Sequence, residues 1–167
     1  MITLRAPEQT DVDSIFLWEN DPGFNESLPQ SAPLSRYQVW EYIKNYQADP
    51  FSTRELRMMI NDESLNAVVG HIDMFDFDPV NRRAGVGIYI DESRRRQGYA
   101  KEALEMFEAY VIRTLGMHQL WAYVAIDNDA SKALFTGAGF KPAGRLRSWL
   151  RRKTEYADAL IFQKLFK

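Results

Sequence analysis

Apolar and polar residues alternate from Ile2 to Ala6 (ITLRA), a period of two that predicts a short strand closed by Pro7. From Glu8 to Glu19 the period lengthens, and Val12, Ile15, Phe16 and Trp18 fall roughly on one helical face. Residues 20–33, rich in Pro, Gly, Asn and Ser, read as loop. Val39, Tyr42, Ile43 and Tyr46 then mark a second helix over Ser35–Gln47. Three strand-like runs follow, Arg54–Asn61, Ala67–Phe77 and Ala84–Asp91, separated by the turn sequences DESLN and DPVNR as in an antiparallel meander.

After Gly98 the period changes again. Ala100, Ala103, Leu104, Phe107 and Val111 recur at the spacing of a buried helical stripe. Gln119–Ile126 reads as a strand, and residues 127–139 open on good N-cap types and end in glycine, a short helix. Residues 140–150 and 155–165 close the chain as a hairpin. The order β-α-α-β-β-β-α-β-α-β-β alternates strands and helices only in its second half. It predicts an α+β class with a mixed α/β sheet rather than a doubly wound one. No repeat, low-complexity tract or linker interrupts it, so residues 1–167 are expected to form one domain.

Composition narrows the chemistry. Lys plus Arg number 21 against 23 Asp plus Glu, for a formal charge of −2. That balance argues against a dedicated nucleic-acid binder, which is usually strongly basic. Zero cysteines exclude disulfides, thiolate metal sites and a cysteine nucleophile. With only His71 and His118, a Ser-His-Asp apparatus would rest on one of two residues. The polar N-terminus and the lack of a long apolar run suggest no signal peptide and no membrane span, hence a cytoplasmic protein. No metal site is expected.

Against that balance, the stretch DESRRRQGYAKEAL (91–104) sets three arginines before a glycine and a helix start. The first amides of a helix lack intrahelical partners and lie at the positive end of its dipole. Gly98 removes a side chain that would block a ligand's approach to them, and Arg94, Arg95 and Arg96 add guanidinium groups suited to phosphate. The stretch suits a diphosphate cradle, although a plain solvated basic turn has the same spacing. No Gly-Lys-Ser/Thr follows, and Ile90 stands where a third Rossmann glycine would belong, so neither nucleotide-loop motif applies.

Arg95-x-x-Gly98-x-Ala100 resembles the Gln/Arg-x-x-Gly-x-Gly/Ala motif of the GNAT superfamily of acyl-CoA-dependent N-acetyltransferases. The longer RRQGYAKEAL is similar to the form in the subgroup of spermidine/diamine and ribosomal-protein N-terminal (alanine) acetyltransferases. A second element supports the resemblance: Asn128, Ser131, Leu134, Phe135, Gly139 and Phe140 match that subgroup's Asn-x-x-Ser-x-x-Leu-aromatic and Gly-Phe. The likeness implies a GNAT-like fold with a mostly antiparallel sheet splayed at the cofactor site, and acetyl-CoA as co-substrate. It assigns the pyrophosphate to Arg95, Arg96, Gln97, Gly98, Tyr99 and Ala100. It assigns the pantetheine arm to the backbone of Ile88, Tyr89 and Ile90, with Asn128, Ser131 and Phe135 along the other side. Asn128 is equally suited to capping a helix, and the two roles are compatible.

The resemblance also implies a catalytic difficulty. The subgroup's usual tyrosine acid position holds Phe135, and its common strand carboxylate position holds Gly85. Three accounts stand side by side. In the favoured account, thiolate is a good enough leaving group for catalysis by orientation with a water-mediated base. Another residue (Asp73, Asp76, Asp78, His71 or Tyr123) could substitute. Or the protein binds acyl-CoA and acetylates weakly or not at all. The acceptor implied is a primary amine: polyamine or diamine, peptide N-terminus or small metabolite amine. Trp18, Phe24 and Glu26, with Glu19 and Asp21, mix aromatic and acidic groups suited to a cationic amine. The basic run RLRSWLRRK pulls the other way, as a solvated strand face or a surface for an acidic partner or a second subunit, so a homo-oligomer stays open.

Overall fold

Residues 1–21 and 32–167 are described in a computed structural model. Their strands are β1 (Ile2–Arg5), β2 (Leu56–Asp62), β3 (Ala67–Asp78), β4 (Arg83–Ile90), β5 (Gln119–Ala125), β6 (Lys141–Arg151) and β7 (Tyr156–Leu165). The helices are α1 (Val12–Glu19), α2 (Arg36–Lys44), α3 (Pro50–Thr53), α4 (Tyr99–Leu115) and α5 (Asp129–Gly137). The strands form one mixed sheet in the order β1-β2-β3-β4-β5-β7-β6, as expected of a GNAT-like fold.

Local chemistry explains where the elements depart from the expected bounds. The first helix opens with a 3-10 turn, Gln9–Asp11, because the Asp11 carboxylate accepts the Glu8 amide at 2.7 Å and the Arg5 guanidinium at 2.7 and 2.8 Å. The second helix stops at Lys44, where the Asn45 amide and side chain both turn back to the Glu41 carbonyl. α3 is too short for periodicity to reveal. Asp49 caps it by accepting the Phe51 amide at 3.1 Å, and Pro50 sits in its first turn. Arg54 follows with a left-handed φ of 65°, so β2 starts at Leu56 rather than Arg54.

The alternation gives the sheet two distinct faces. Leu56, Met74 and Val86 are neighbours in register on β2, β3 and β4 and face α4, whose Leu104, Phe107 and Val111 are fully buried. Each such side chain contributes roughly 1.5–3 kcal/mol to holding that helix. On the opposite face Met59, His71 and Tyr89 are in register, and Met59 and Tyr89 pack with Ile15 and Trp18 of α1 and Val39 of α2.

One strand pair breaks the antiparallel rule. β4 and β5 run parallel and pair only at Arg83–Gln119, Ala84–Leu120 and Gly85–Trp121. Beyond Gly85, β4 continues to Ile90 paired with β3, and β5 continues to Ala125 paired with β7. The two strands therefore part, leaving a cleft along which β5 does not pair with β4 beyond Gly85.

Candidate active site

The cleft opens onto the turn between β4 and α4. Asp91 starts this turn: its carboxylate accepts the Ser93 amide at 3.0 Å and the Trp18 indole N–H at 2.8 Å. A 3-10 turn over Glu92–Arg94 follows, and the Arg95 Nε returns to the Ile90 carbonyl at 3.1 Å. Arg96 and Gly98 then take left-handed φ values of 62° and 90°. The first α4 hydrogen bond runs from the Glu102 amide to the Gly98 carbonyl, so the amides of Tyr99, Ala100 and Lys101 precede the helical ladder. A Cβ at Gly98 would meet nothing within 4 Å, so it would project into open space beside those amides. The φ of Gly98 itself favours glycine, a constraint that the spacing alone did not reveal.

Side chains brace this turn from behind. The Tyr99 hydroxyl donates to Asp62 at the end of β2, 2.6 Å away. Hydrogen bonds from Ser64 and then Tyr99 bring the Asp62 carboxyl down to about 2. Tyr99 thus anchors the helix start with its side chain. The Arg95 guanidinium lies 5.8 Å from the centre of the Tyr89 ring, while Arg96 and Gln97 are exposed.

On the opposite wall, Asn128 caps α5 by accepting the Ser131 amide at 3.0 Å. Ser131 is half-buried on the first turn. Phe135 points into the core, 4% exposed, and packs edge-on against Phe140 with ring centres 5.0 Å apart. It has no hydroxyl and its ring is part of the packing.

The other sheet face carries a cavity of about 420 Å³ between α1, α2, β2 and β3, whose lining includes Glu19, Tyr42, Tyr46, Arg57, Asp73 and Phe75. Arg57 is its electrostatic centre. Asp73 accepts from the Arg57 Nε and Nη2, both at 2.8 Å, and Glu19 from its Nη1 at 2.7 Å. Burial opposes ionisation of Asp73, but neighbouring His71 and Arg57 outweigh it and hold the carboxyl well below the usual carboxylate range. Asp73 is therefore a charged anchor with poor proton-accepting power at neutral pH. Burial also pushes the Tyr42 phenol up.

The remaining expected residues separate into groups. Trp18 is 5% exposed, its ring 5.5 Å from Tyr89 and its N–H on Asp91, so it ties α1 to the turn before α4. Asp78 closes the β3–β4 turn through the Val80 and Asn81 amides, and Asp76 is exposed with a φ of 50°. Tyr123 stands on β5 past the point where the strands part, 41% exposed. Phe24 and Glu26 lie outside the described residues. Arg57, Phe75 and Trp121 were not singled out by the sequence, and Tyr42 and Tyr46 only as markers of a helical face. A lone arginine inside LRMMI was the available signal for a buried charge in need of partners.

A strand splay beside exposed helix N-terminal amides matches a known family. The GNAT acetyltransferase domain model matches residues 1–141. The chain belongs to the GNAT acetyltransferase family. It is 32% identical over 161 residues to the SPbeta prophage-derived N-acetyltransferase YokL of Bacillus subtilis, covering 96% of this chain and 88% of that protein. It is 23% identical over 146 residues to a spermidine N(1)-acetyltransferase of Vibrio cholerae, covering 87% and 82%. A crystal structure of a V. cholerae spermidine N-acetyltransferase with CoA and spermine superposes with a TM-score of 0.87 at 22% identity, covering 98% and 95%. This GNAT protein is thus an acetyl-CoA-dependent acetyltransferase with the fold of that neighbour. Among the described residues no cluster suited to a metal ion occurs, and no helix is long and apolar enough to cross a membrane.

Proposed function

We propose that the chain moves the acetyl group of acetyl-CoA to a primary amine by direct attack in a ternary complex. The carrying observation is the continuity between the first-turn amides of α4 and the stretch of β4 from which β5 has parted. The pyrophosphate would take the amides from Arg96 to Ala100, with Arg95, Arg96 and Gln97 around it and Tyr99 braced behind. The pantetheine arm would pair with Ile88, Tyr89 and Ile90, and Asn128, Ser131 and the packed Phe135 would form the far wall. Acetyl-CoA supplies an acyl group activated as a thioester.

In the transfer, the amine nitrogen forms a bond to the acyl carbon and the carbon–sulfur bond breaks. One proton leaves the nitrogen and one reaches the thiolate. Phe135 and Gly85 offer no group for either proton, so orientation within the cleft carries the rate, with water as proton carrier. Tyr123, on β5 at the mouth of the splay, is the phenol best sited to protonate the thiolate. Asp73 would act through Arg57 and the charge of the cavity. Trp18 would position Tyr89 and Asp91; Phe24 and Glu26 remain proposed acceptor contacts.

The acceptor classes are a polyamine or diamine, a peptide N-terminus and a small metabolite amine. The V. cholerae relatives are spermidine acetyltransferases, which supports an amine in general. A V. cholerae neighbour has a dodecameric structure, and homo-oligomerisation of this chain is a parallel proposal. Function in the cytoplasm, without nucleic acid or a membrane, completes the reading.

Phe135 and Gly85 favour one second reading, an acyl-CoA binder that is catalytically weak or silent. Calorimetry with acetyl-CoA, run beside thiol release across polyamines, amino-acid amides, N-terminal peptides and aminoglycosides, separates them. Binding with amine-dependent release is expected. Binding without release for any amine would select the silent protein, and no binding at millimolar acetyl-CoA would overturn both.

A further inference from the structure

We infer that the acceptor is a weakly basic primary amine borne next to an aromatic or apolar group, and not a polyamine. This rests on the transferase reading above.

The first observation is what occupies the splay point. Phe75, Gly85 and Trp121 are neighbours in register on β3, β4 and β5, so they share one face. A Cβ on Gly85 would stand 2.4 Å from the Phe75 ring, and one on Gly87 would stand 3.7 Å from it. The Phe75 ring thus lies over both glycines, where a strand carboxylate would otherwise project. A site floored by a ring favours an amine that arrives neutral.

Among the described residues, most ionisable groups on this face have other engagements. Asp73 and Glu19 bind Arg57, and Asp91 binds Trp18 and Ser93. His71 packs beside both the Trp18 and the Tyr89 rings, with centroids 6.0 and 5.5 Å away, and is 3% exposed. The Tyr46 hydroxyl bonds the Arg57 backbone, and burial raises Tyr42 and Tyr89. Glu55 lies at the cavity rim and Tyr123 is a phenol, suited to giving a proton.

The second observation is a row of rings leading away from the splay. Phe75 meets Trp121 at 5.1 Å and 89°, Trp121 meets Tyr123 at 4.7 Å and 64°, and Tyr123 meets Trp149 at 6.0 Å. Tyr123 and Trp149 are 41% and 53% exposed, so the row ends open to solvent. Aromatic faces attract cations as well as rings. Here the surrounding charge decides: residues 141–165 of the hairpin hold seven Lys or Arg against two Asp or Glu. A polycation would approach that hairpin against repulsion, whereas a neutral ring or apolar side chain would not.

Among the described residues no dedicated base is placed at the splay, so on this inference the neutral fraction of the acceptor sets the rate. An α-amine of ordinary pKa about 7.7–8.0 is several-hundred-fold more deprotonated at pH 7 than a lysine-like amine at about 10.4. The stronger nucleophilicity of the more basic amine offsets part of this, leaving roughly tenfold or more.

Four amines test the inference by acetyl-CoA-dependent thiol release at pH 7: phenylalaninamide, phenethylamine, alaninamide and spermidine. Phenylalaninamide should exceed phenethylamine, which shares its ring, and alaninamide, which shares its weakly basic amine, each by about tenfold in kcat/KM. Spermidine should be poorest. The break in each pH profile should follow the amine's own pKa. Trp149→Ala should collapse the advantage over alaninamide. The double variant Phe75→Ala/Gly85→Glu should raise phenethylamine relative to phenylalaninamide. Equal or better rates with phenethylamine or spermidine, or one break shared by all amines, would overturn the inference alone. Acetyl-CoA binding with no release from any of the four would instead defeat the transferase reading beneath it, and the wild-type series decides even where a variant does not fold.

Discussion

The two walls that meet at Gly85 are built from different material. On the α4 side the working groups are main-chain amides, aimed by two left-handed residues and braced by Tyr99 and Arg95 from behind. On the α1–α2 side they are side chains from four separate elements, gathered around one arginine that satisfies two carboxylates. A main-chain site keeps its donors whatever the side chains become, provided the turn keeps its shape. A side-chain site changes character with each substitution. Under the proposed function, the cofactor would lie on the side that tolerates substitution better, and substitutions on the other side would alter the site more readily.

The comparison breaks most severely at Arg57. Arg57→Leu would remove the guanidinium that Glu19 and Asp73 share, a loss of about 3–5 kcal/mol for one partner of a buried ion cluster. Urea denaturation should show it, and the deficit should depend on pH. In the native protein the Asp73 carboxyl lies below its unfolded value, so its contribution is present above that value, about 3.9. It is lost as pH falls through the lower folded value. In the variant the Asp73 carboxyl loses one of the two groups that hold it down, so acid should narrow the gap to wild type. Acetyl-CoA affinity should change far less than stability.

Gly98→Val is the converse. It places a branched side chain in open space beside the free amides and strains a residue whose φ is 90°. Acetyl-CoA binding should weaken by about a hundredfold or more in calorimetry, as one or more charge-assisted hydrogen bonds to the phosphates fail. The Arg57 cavity should remain intact, visible as an unchanged pH dependence of unfolding.

The smallest effect sharpens the boundary between the walls. Asn128→Ala should cost about 1 kcal/mol through its cap on α5. Asn128→Ser, which keeps a capping oxygen, should restore most of that stability. If acetyl-CoA affinity returns with the cap, Asn128 acts by positioning α5; if it stays low, the side chain meets the ligand itself.

The same division governs what could be read from the sequence. The turn before α4 was legible because glycine, arginine and helix spacing are local, and most of the strands and helices along the chain followed from periods of two and 3.6. The Arg57 cluster was not, since Arg57 and Asp73 are 16 residues apart and meet only through the β2–β3 register. Trp18 illustrates the opposite error: on an amphipathic helix beside an acidic loop it suggested ligand contact, yet its face is the one that packs on Tyr89. Phe75 was invisible for a related reason, because its significance lies in two glycines on the neighbouring strand. α3, a single turn capped by Asp49, is shorter than any period can register.

The brief pairing of β4 with β5 has a mechanical side. Among the described residues, three register pairs join the β1–β4 part of the sheet to the β5–β7–β6 part. A seam this short is where a sheet opens first in sub-global unfolding, since few main-chain bonds must break together. The buried side chains of α4 and α5 reinforce it on one face only. A ligand lying along the β4 edge and touching α5 would act as a splint across that seam, slowing amide exchange at Arg83–Gly85 and Gln119–Trp121 without contacting either segment.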